Sequence, residues 1–206
     1  MKKLLLLTAF SLTLRAELID RLAITVGQQV ITELGIDEDL RVIALINGEP
    51  VNRSLEARRA AADRLVQRLL IQHEMEVSRY PLPSDQEVSI YLQQVENSLG
   101  GESAFPNLLK SYNLTQATLV NYLKAQLTML RFIEYRFSPD VSVSDADIDL
   151  TNQTEHPGVA PPPLTQAKRD AISQKLTEER TDAALNSWLA ESRKQVNIVY
   201  LDTDLR

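Results

Sequence analysis

The pattern of apolar and polar positions divides the chain into a β-like stretch near its start, a series of helix-like segments, and a second β-like stretch at its end. The sequence RLAITVGQQVIT, residues 21–32, holds two short β-branched runs on either side of a Gly-Gln turn and predicts a β-hairpin. An isolated two-stranded hairpin is marginally stable in water. The run QVNIVYLD, residues 195–202, alternates as a strand does. We therefore expect it to join the hairpin as a third strand and to tie the two ends of the chain together.

Between these stretches, apolar residues recur at helical spacing, and residues that favour helix ends mark the boundaries. Ser84 with Glu87 matches the capping-box spacing, and Ser144 with Asp147 resembles it. The pattern predicts helices over about residues 33–46, 55–79, 85–99, 104–111, 116–137, 145–152 and 165–195. The inner face predicted for the second helix is Ala62, Val66, Leu69, His73 and Val77, and that of the fifth is Leu119, Leu123, Leu130, Ile133 and Phe137. The expected fold class is mainly α, with a small sheet formed by the N-terminal hairpin and the C-terminal strand.

Composition narrows the class of protein. With 206 residues, 44% of them apolar, the chain is long enough for one domain with its own core. The formal net charge of −6 disfavours nucleic acid as a partner, because phosphate binding requires clustered lysine and arginine. The absence of cysteine excludes disulfides, thiolate nucleophiles and cysteine-ligated zinc.

The first residues, MKKLLLLTAFSLTLRA, have the features of a secretory leader: two lysines, an apolar stretch and a small residue at Ala16. We expect residues 1–16 to be a signal peptide cleaved near Ala16, and a buried N-terminal segment is the alternative. The apolar stretch, residues 4–14, is far shorter than the ~20 residues that span a bilayer, so no stable membrane span is expected.

One segment has the composition of a linker. The stretch TNQTEHPGVAPPPL, residues 151–164, is stiffened by three consecutive prolines. The mature chain is therefore divided into a hairpin and helical core at residues 17–153, a Pro-rich linker at 154–164, and a closing helix and strand at 165–206.

Motifs for catalysis and metal binding are absent from the sequence. It has no G-x-x-x-x-G-K-[ST], G-x-S-x-G or H-E-x-x-H motif. His73 falls on the apolar face of the second predicted helix and is interpreted as a core or boundary residue, while His156 lies in the linker. The acidic run at residues 140–149 lacks the glycine and terminal glutamate of an EF-hand loop. We therefore expect no enzyme activity, no cofactor and no metal site.

Four stretches of the sequence together resemble a known family. They are, in chain order, ELIDRLAITVGQQVIT, DRLVQRLLIQHEMEV, VSVSDADID and ALNSWLAESRKQVNIVYLD. They are similar to the opening strand, the next long helix, the segment before the first parvulin domain, and the closing helix and strand of SurA-type periplasmic chaperones. The resemblance implies a multi-helix, SurA/trigger-factor-like peptide-binding domain that is located in the periplasm.

The chain departs from that family where the family carries one or two parvulin-type peptidyl-prolyl isomerase domains. Here the corresponding gap is the Pro-rich linker, whereas such a domain needs on the order of 100 residues. The chain is therefore interpreted as the chaperone core, the N-terminal domain plus the C-terminal helix, without the isomerase.

The resemblance implies an ATP-independent holdase for unfolded polypeptides, in particular outer-membrane protein precursors. An envelope adaptor with one dedicated partner is the alternative, and a peptidyl-prolyl isomerase is disfavoured because the catalytic domain is missing. Exchange of the hairpin or the terminal strand between two chains would give a dimer.

The helix predicted over residues 116–137 carries apolar side chains off its inner face as well as on it. Methionine and aromatic side chains adapt to varied ligands. The candidate residues for an apolar peptide-binding groove are Tyr91, Tyr112, Tyr122, Met129, Phe132 and Tyr135. The alternative is that the closing helix covers these side chains as part of the core.

Overall fold

The computed structural model describes residues 20–156, 158 and 163–206. The predicted leader and part of the predicted linker therefore lie outside the described residues. The elements, in chain order, are β1 (Leu22–Val26), β2 (Gln29–Thr32), α1 (Glu33–Asn47), α2 (Leu55–Val77), α3 (Asp85–Ser98), α4 (Phe105–Ser111), α5 (Gln116–Arg136), α6 (Asp145–Thr154), α7 (Gln166–Gln195), β3 (Ile198–Tyr200) and a 3-10 helix (Thr203–Leu205). Each predicted helix is present, with ends that differ from the prediction by at most two residues.

The three strands form one antiparallel sheet in the order β2-β1-β3. β3 pairs with β1 in a register that places Tyr200 opposite Ile24. Next to the hairpin turn, the N–H of Gly27 donates to the carbonyl of Asn197 at 2.9 Å. The terminal strand therefore joins the sheet of the hairpin as predicted, and the predicted fold class, mainly α with a small sheet, is confirmed.

Side-chain caps at the helix starts explain why the sequence predicts the boundaries so closely. The hydroxyl side chains that accept a bond from the backbone N–H three residues on are Thr32, Ser54, Ser84, Thr115, Ser144 and Thr165. Ser84 with Glu87 and Ser144 with Asp147 form complete capping boxes, in which the carboxylate also accepts the cap N–H. At the end of α1, Gly48 takes the left-handed conformation (φ 67°) that favours glycine.

Buried side chains hold the elements together in three groups within the described part of the chain. The first joins the sheet to α1, α2 and α7, and Ile24 of β1 and Val66 of α2 are both fully buried there. The second joins α1 to α3, α4 and α5. The third surrounds Phe132 of α5, whose ring lies 4.6 Å from that of Trp188 in α7. The closing helix thus contributes to two of the three groups.

Two of the predicted inner helix faces are wrong in part. On α2, His73 and Val77 are exposed, the latter by 65%, and Met75 is buried instead. On α5, Leu130 is 56% exposed, whereas Phe132 is fully buried. The reason is that α2 packs against the sheet in its first half and against α5 and α7 in its second half, so that its buried face changes along its length.

α6 contacts α7 largely through ion pairs. Arg180 lies 2.8 Å from the carboxylate of Asp147, and Arg169 lies 3.1 Å from that of Asp149 and 3.3 Å from that of Asp145. α7 is 30 residues long, and Leu189 is the one buried residue along it. In the described segments of the chain, no helix combines the length and the apolar character needed to cross a bilayer.

Candidate peptide-binding groove

A groove of about 200 Å³ runs between α2 and α5 and is here named the α2–α5 groove. Its lining residues are Arg68, Ile71, Gln72 and Glu76 from α2, Leu82 from the following link, and Asn121, Lys124, Ala125, Thr128 and Met129 from α5. A typical small-molecule pocket has a volume of roughly 300–1,000 Å³. The α2–α5 groove is smaller, and its size suits individual side chains rather than a large compact ligand.

The floor of the α2–α5 groove is apolar and its rim is polar. Ile71 is buried at 2% exposure, Met129 is half-buried, and Leu82 at one edge is 50% exposed. On the α2 side the amide of Gln72 donates to Glu76 at 3.1 Å, and on the α5 side Lys124 lies at the rim. An apolar ligand side chain would lose contact with water at the floor, while a neighbouring polar chain would meet donors and acceptors at the rim.

Leu82 is held in place by α5. Arg131 donates to the carbonyl of Leu82 at 3.0 Å and also pairs with Glu87 of α3. The Glu87 carboxylate accepts the N–H of Ser84 at 2.8 Å as part of the capping box. The hydrogen bonds from Ser84, with a smaller contribution from Arg131, hold the pKa of Glu87 below its usual value. A network of hydrogen bonds and one ion pair therefore holds the Leu82 edge of the groove in place.

A second cavity of about 200 Å³ lies where α1 meets α2 and α5, and is here named the Asp39 cavity. Its lining residues are Gly35, Glu38, Asp39, Val42, Leu65, Arg68, Thr118, Asn121 and Tyr122. Arg68 and Asn121 line both this cavity and the α2–α5 groove. The two spaces are therefore neighbours along the same pair of helices.

The Asp39 cavity contains a buried carboxylate between two arginines. The side chain of Asp39 is 1% exposed, Arg64 lies 2.6 Å from its Oδ2, and Arg68 lies 2.9 Å from its Oδ1. The guanidinium of Arg68 also lies 4.4 Å from the centre of the Tyr122 ring, a cation–π contact. Burial raises the pKa of the Tyr122 hydroxyl, which accepts a hydrogen bond from Gln126 at 2.9 Å.

Two of the six candidate residues lie in the core. Tyr122 is 8% exposed, and Phe132 is fully buried between Phe137, at 5.5 Å between ring centres, and Trp188 of α7. For Phe132, the structure therefore has the arrangement given as the alternative, in which the closing helix covers the side chain. Tyr122 is covered on one face by Arg68 and contributes to the wall of the Asp39 cavity.

The other four candidates lie in separate places. Tyr91 and Tyr112 pack at the edge of the second core group, and the Tyr112 hydroxyl donates to the carbonyl of Glu49 at 3.0 Å. Tyr135 is 46% exposed and stacks on Tyr80 at 5.7 Å between ring centres. Met129 lines the α2–α5 groove. The six residues thus form no single surface, and a role of any of them in peptide binding stays a prediction.

Sequence reasoning did not select Asp39, Arg64 or Arg68. A signal for Asp39 was present, because it lies three residues after Ile36 on the apolar side of α1, where a carboxylate needs a buried cation. Arg64 and Arg68 are spaced by four residues and therefore share a face of α2. Their pairing with Asp39 depends on how α1 packs on α2, which no local pattern specifies.

A wider cavity of about 680 Å³ lies between the hairpin turn, α2 and the end of α7, and the exposed His73 lines it. Within the ranges that the structure describes, no group of three or more histidine or acidic side chains is arranged to hold a metal ion. The residues that line this wider cavity include no recognisable set of reacting groups.

Comparison with known proteins gives no assignment: no protein-family model matches the chain, and no curated protein matches it. The resemblance to SurA-type chaperones therefore rests on the quoted sequence stretches.

Proposed function

We propose that the protein is an ATP-independent holdase that binds segments of unfolded polypeptides. The observation that carries this proposal is the α2–α5 groove, with an apolar floor that includes Ile71 and Met129 and a polar rim. Methionine side chains adapt to differently shaped ligands, and this property favours a surface that accepts many sequences. Support from the sequence is the ordered resemblance to the SurA-type chaperone core.

The mechanism is transient capture of apolar side chains. A space of about 200 Å³ holds few ligand atoms, so each captured segment buries a small apolar area. The affinity required is modest, on the order of micromolar or about −8 kcal/mol, because clients must leave without an energy source. Several weak contacts along one unfolded chain would raise the overall affinity by multivalency.

The proposed location is the periplasm, and the proposed clients are precursors of outer-membrane β-barrel proteins. Both follow from the resemblance and from the leader-like residues 1–16. The formal net charge of −6 disfavours nucleic acid as a ligand, and it is compatible with polypeptide clients.

Light scattering tests the proposal directly. A urea-denatured outer-membrane β-barrel protein is diluted into buffer with the full chain at stoichiometric amounts, and suppression of its aggregation is expected. The variant Ala125→Glu places a charge in the wall of the α2–α5 groove and should weaken suppression several-fold. Leu130→Glu is the matched control, because Leu130 lies on the same helix, is 56% exposed and does not line the groove. Absence of suppression by the unmodified chain would overturn the proposal, provided that circular dichroism shows the helices intact.

A further inference from the structure

β3 forms one edge of the sheet, and part of its main chain lacks a hydrogen-bond partner. The N–H of Leu201 donates to the carbonyl of Ala23 at 2.8 Å, so Leu201 faces β1. Since the bonds alternate along antiparallel strands, the N–H and C=O groups of Ile198 and Tyr200 point away from β1. Among the described residues, no strand lies beyond β3 and no other hydrogen bond involves these four groups. Such an edge is a template for an additional strand.

A cleft of about 620 Å³ lies beside this edge, between β3, the first half of α2 and the 3-10 helix, and is here named the β3 cleft. Its apolar lining consists of Ala60, Ile198, Tyr200 and Leu205. In a paired strand, the residues opposite Ile198 and Tyr200 lie on the same face of the sheet as these two side chains. An added strand would therefore direct alternate side chains toward the β3 cleft.

The β3 cleft also carries unpaired positive charge. Its one carboxylate, Asp63, pairs with Arg193 at 2.8 Å. Arg59 and Arg206 line the cleft and are exposed, and neither guanidinium pairs with a carboxylate of the described residues. The Nε of Arg59 donates to the carbonyl of Asp204 at 2.7 Å, which holds this side chain at the cleft. A segment with a carboxylate is therefore the complementary ligand.

A second copy of the chain fits this edge less well. Two β3 strands paired around a two-fold axis would place two β3 clefts on the same seam, and their unpaired arginines would repel each other. β3 has three residues, whereas each side of a stable interface takes about 20–30. An extended segment that adds a single strand forms a weak, reversible contact and needs no such area.

We propose that the edge of β3 binds an extended, acidic segment of another polypeptide as a fourth strand of the sheet. Main-chain hydrogen bonds with Ile198 and Tyr200 provide the affinity, and the β3 cleft selects the alternate side chains, one of them a carboxylate near Arg59.

This inference goes beyond the proposed function, because the β3 cleft and the α2–α5 groove have no lining residue in common. Strand addition and suppression of aggregation are therefore separate outcomes. Strand addition without suppression would support the inference and contradict the holdase, and suppression without strand addition would do the reverse.

Amide hydrogen exchange, measured by NMR on the full chain, tests strand addition. The probe is a capped seven-residue peptide in which threonine alternates with valine, glutamate and valine, so that the last three share one face. In the unbound chain, the amides of Ile198 and Tyr200 should exchange rapidly, whereas that of Val199 is protected by its bond to β1. Peptide at millimolar concentration should slow exchange at Ile198 and Tyr200 several-fold and leave Val199 unchanged.

Three results of this measurement would overturn the inference. The first is unchanged exchange at Ile198 and Tyr200, and the second is equal slowing at Val199, which would indicate general stabilisation. The third is protection of Ile198 and Tyr200 without peptide, together with a dimer in analytical ultracentrifugation, because a second copy would then occupy the edge.

Two substitutions at one position separate main-chain pairing from side-chain packing. Ile198→Pro removes an N–H that points away from β1, and proline is accepted at such edge positions. It should weaken peptide binding at least about fivefold, the equivalent of one net hydrogen bond. Ile198→Ala keeps the N–H and should weaken binding clearly less. Equal losses would overturn main-chain pairing, and the exchange pattern of the unmodified chain decides if circular dichroism shows that Ile198→Pro is unfolded.

A second peptide, with glutamine in place of the glutamate, tests the charge of the cleft. The unmodified chain should bind the glutamate peptide about threefold more tightly, as expected for an exposed ion pair, and Arg59→Gln should lower this preference. Arg53→Gln is the matched control, because Arg53 is also exposed but does not line the β3 cleft. It should keep the preference. Equal binding of the two peptides by the unmodified chain, or equal loss of preference in both variants, would overturn the assignment of an acidic segment.

Discussion

At the level of single residues, the side chain of Phe132 joins α5 to the closing helix. Its ring contacts Phe137 edge to face and lies 4.6 Å from the ring of Trp188. Ile71 and Met75 of α2 complete the same buried group. Since Trp188 is the single tryptophan of the sequence, its fluorescence reports directly on this contact.

Replacing Phe132 by alanine should lower the free energy of unfolding by about 3–5 kcal/mol, because it leaves a cavity among well-packed side chains. Tyr135→Ala on the same helix is the control, with an expected cost of about 1 kcal/mol or less, since Tyr135 is 46% exposed. Urea unfolding followed by Trp188 fluorescence measures both values. Similar costs for the two variants would contradict the placement of Phe132 in the core.

Asp147 couples the start of α6 to α7. The ion pair with Arg180 and the hydrogen bonds from Ser144 hold the pKa of Asp147 well below its ordinary value. The ionised form is therefore favoured in the folded state. Its contribution to stability is complete above the unfolded-state pKa of about 3.9, and it is lost as the pH falls from there through the lowered folded-state pKa.

The variant Asp147→Asn should therefore be less stable than the unmodified chain at pH 7, with a difference that shrinks as the pH falls below about 4. Thermal unfolding at a series of pH values measures this difference. Asp145→Asn is the control, because Asp145 is 89% exposed and lies 3.3 Å from Arg169, and it should show a smaller effect. A difference for Asp147→Asn that is independent of pH would contradict the ionic coupling of α6 to α7.

The sequence predicts local roles of single residues better than their surroundings. The capping roles of Ser84 and Ser144 follow from a three-residue spacing and are confirmed. The sequence left the burial of Phe132 open, as the alternative to a groove, and it placed Leu130 wrongly on the inner face, because both depend on which neighbouring helices α5 meets. Local bonds are specified by local sequence, whereas burial is specified by contacts between distant segments.

At the level of elements, the sheet depends on a strand from the far end of the chain. Leu201 N donates to the carbonyl of Ala23 at 2.8 Å, and Thr25 lies opposite Val199 in the register. The alternation of hydrogen bonds along antiparallel strands then directs the N–H of Val199 toward β1. The prediction of this third strand succeeded because the run carries the alternating pattern and the hairpin alone lacks a partner.

Val199→Pro should detach β3, since proline has no N–H to donate to β1. The expected loss is about 1–3 kcal/mol, the cost of a β1 carbonyl left without its donor. Val199→Thr keeps the N–H and replaces a side chain that is 37% exposed, so its cost should be well below that of proline. Urea unfolding compares the two variants, and equal losses would show that the pairing of β3 contributes little.

At the level of the whole molecule, α7 and β3 return the end of the chain to its beginning. α7 packs on the first and third core groups, and β3 completes the sheet. This arrangement fixes α2 beside α5, where the α2–α5 groove and the Asp39 cavity lie. The fold class and the order of elements follow from the sequence, but the groove does not, because its walls come from residues on two helices that only the tertiary packing brings together.

Site-specific photo-crosslinking tests whether clients bind in the α2–α5 groove, as we propose. A photoreactive phenylalanine analogue replaces Thr128, which lines the groove, or Leu130, which is 56% exposed on the same helix outside it. Each variant is mixed with an unfolded outer-membrane β-barrel precursor and irradiated. Binding in the groove predicts strong crosslinks from position 128 and background levels from position 130. Equal crosslinking from the two positions, or stronger crosslinking from position 130, would contradict it.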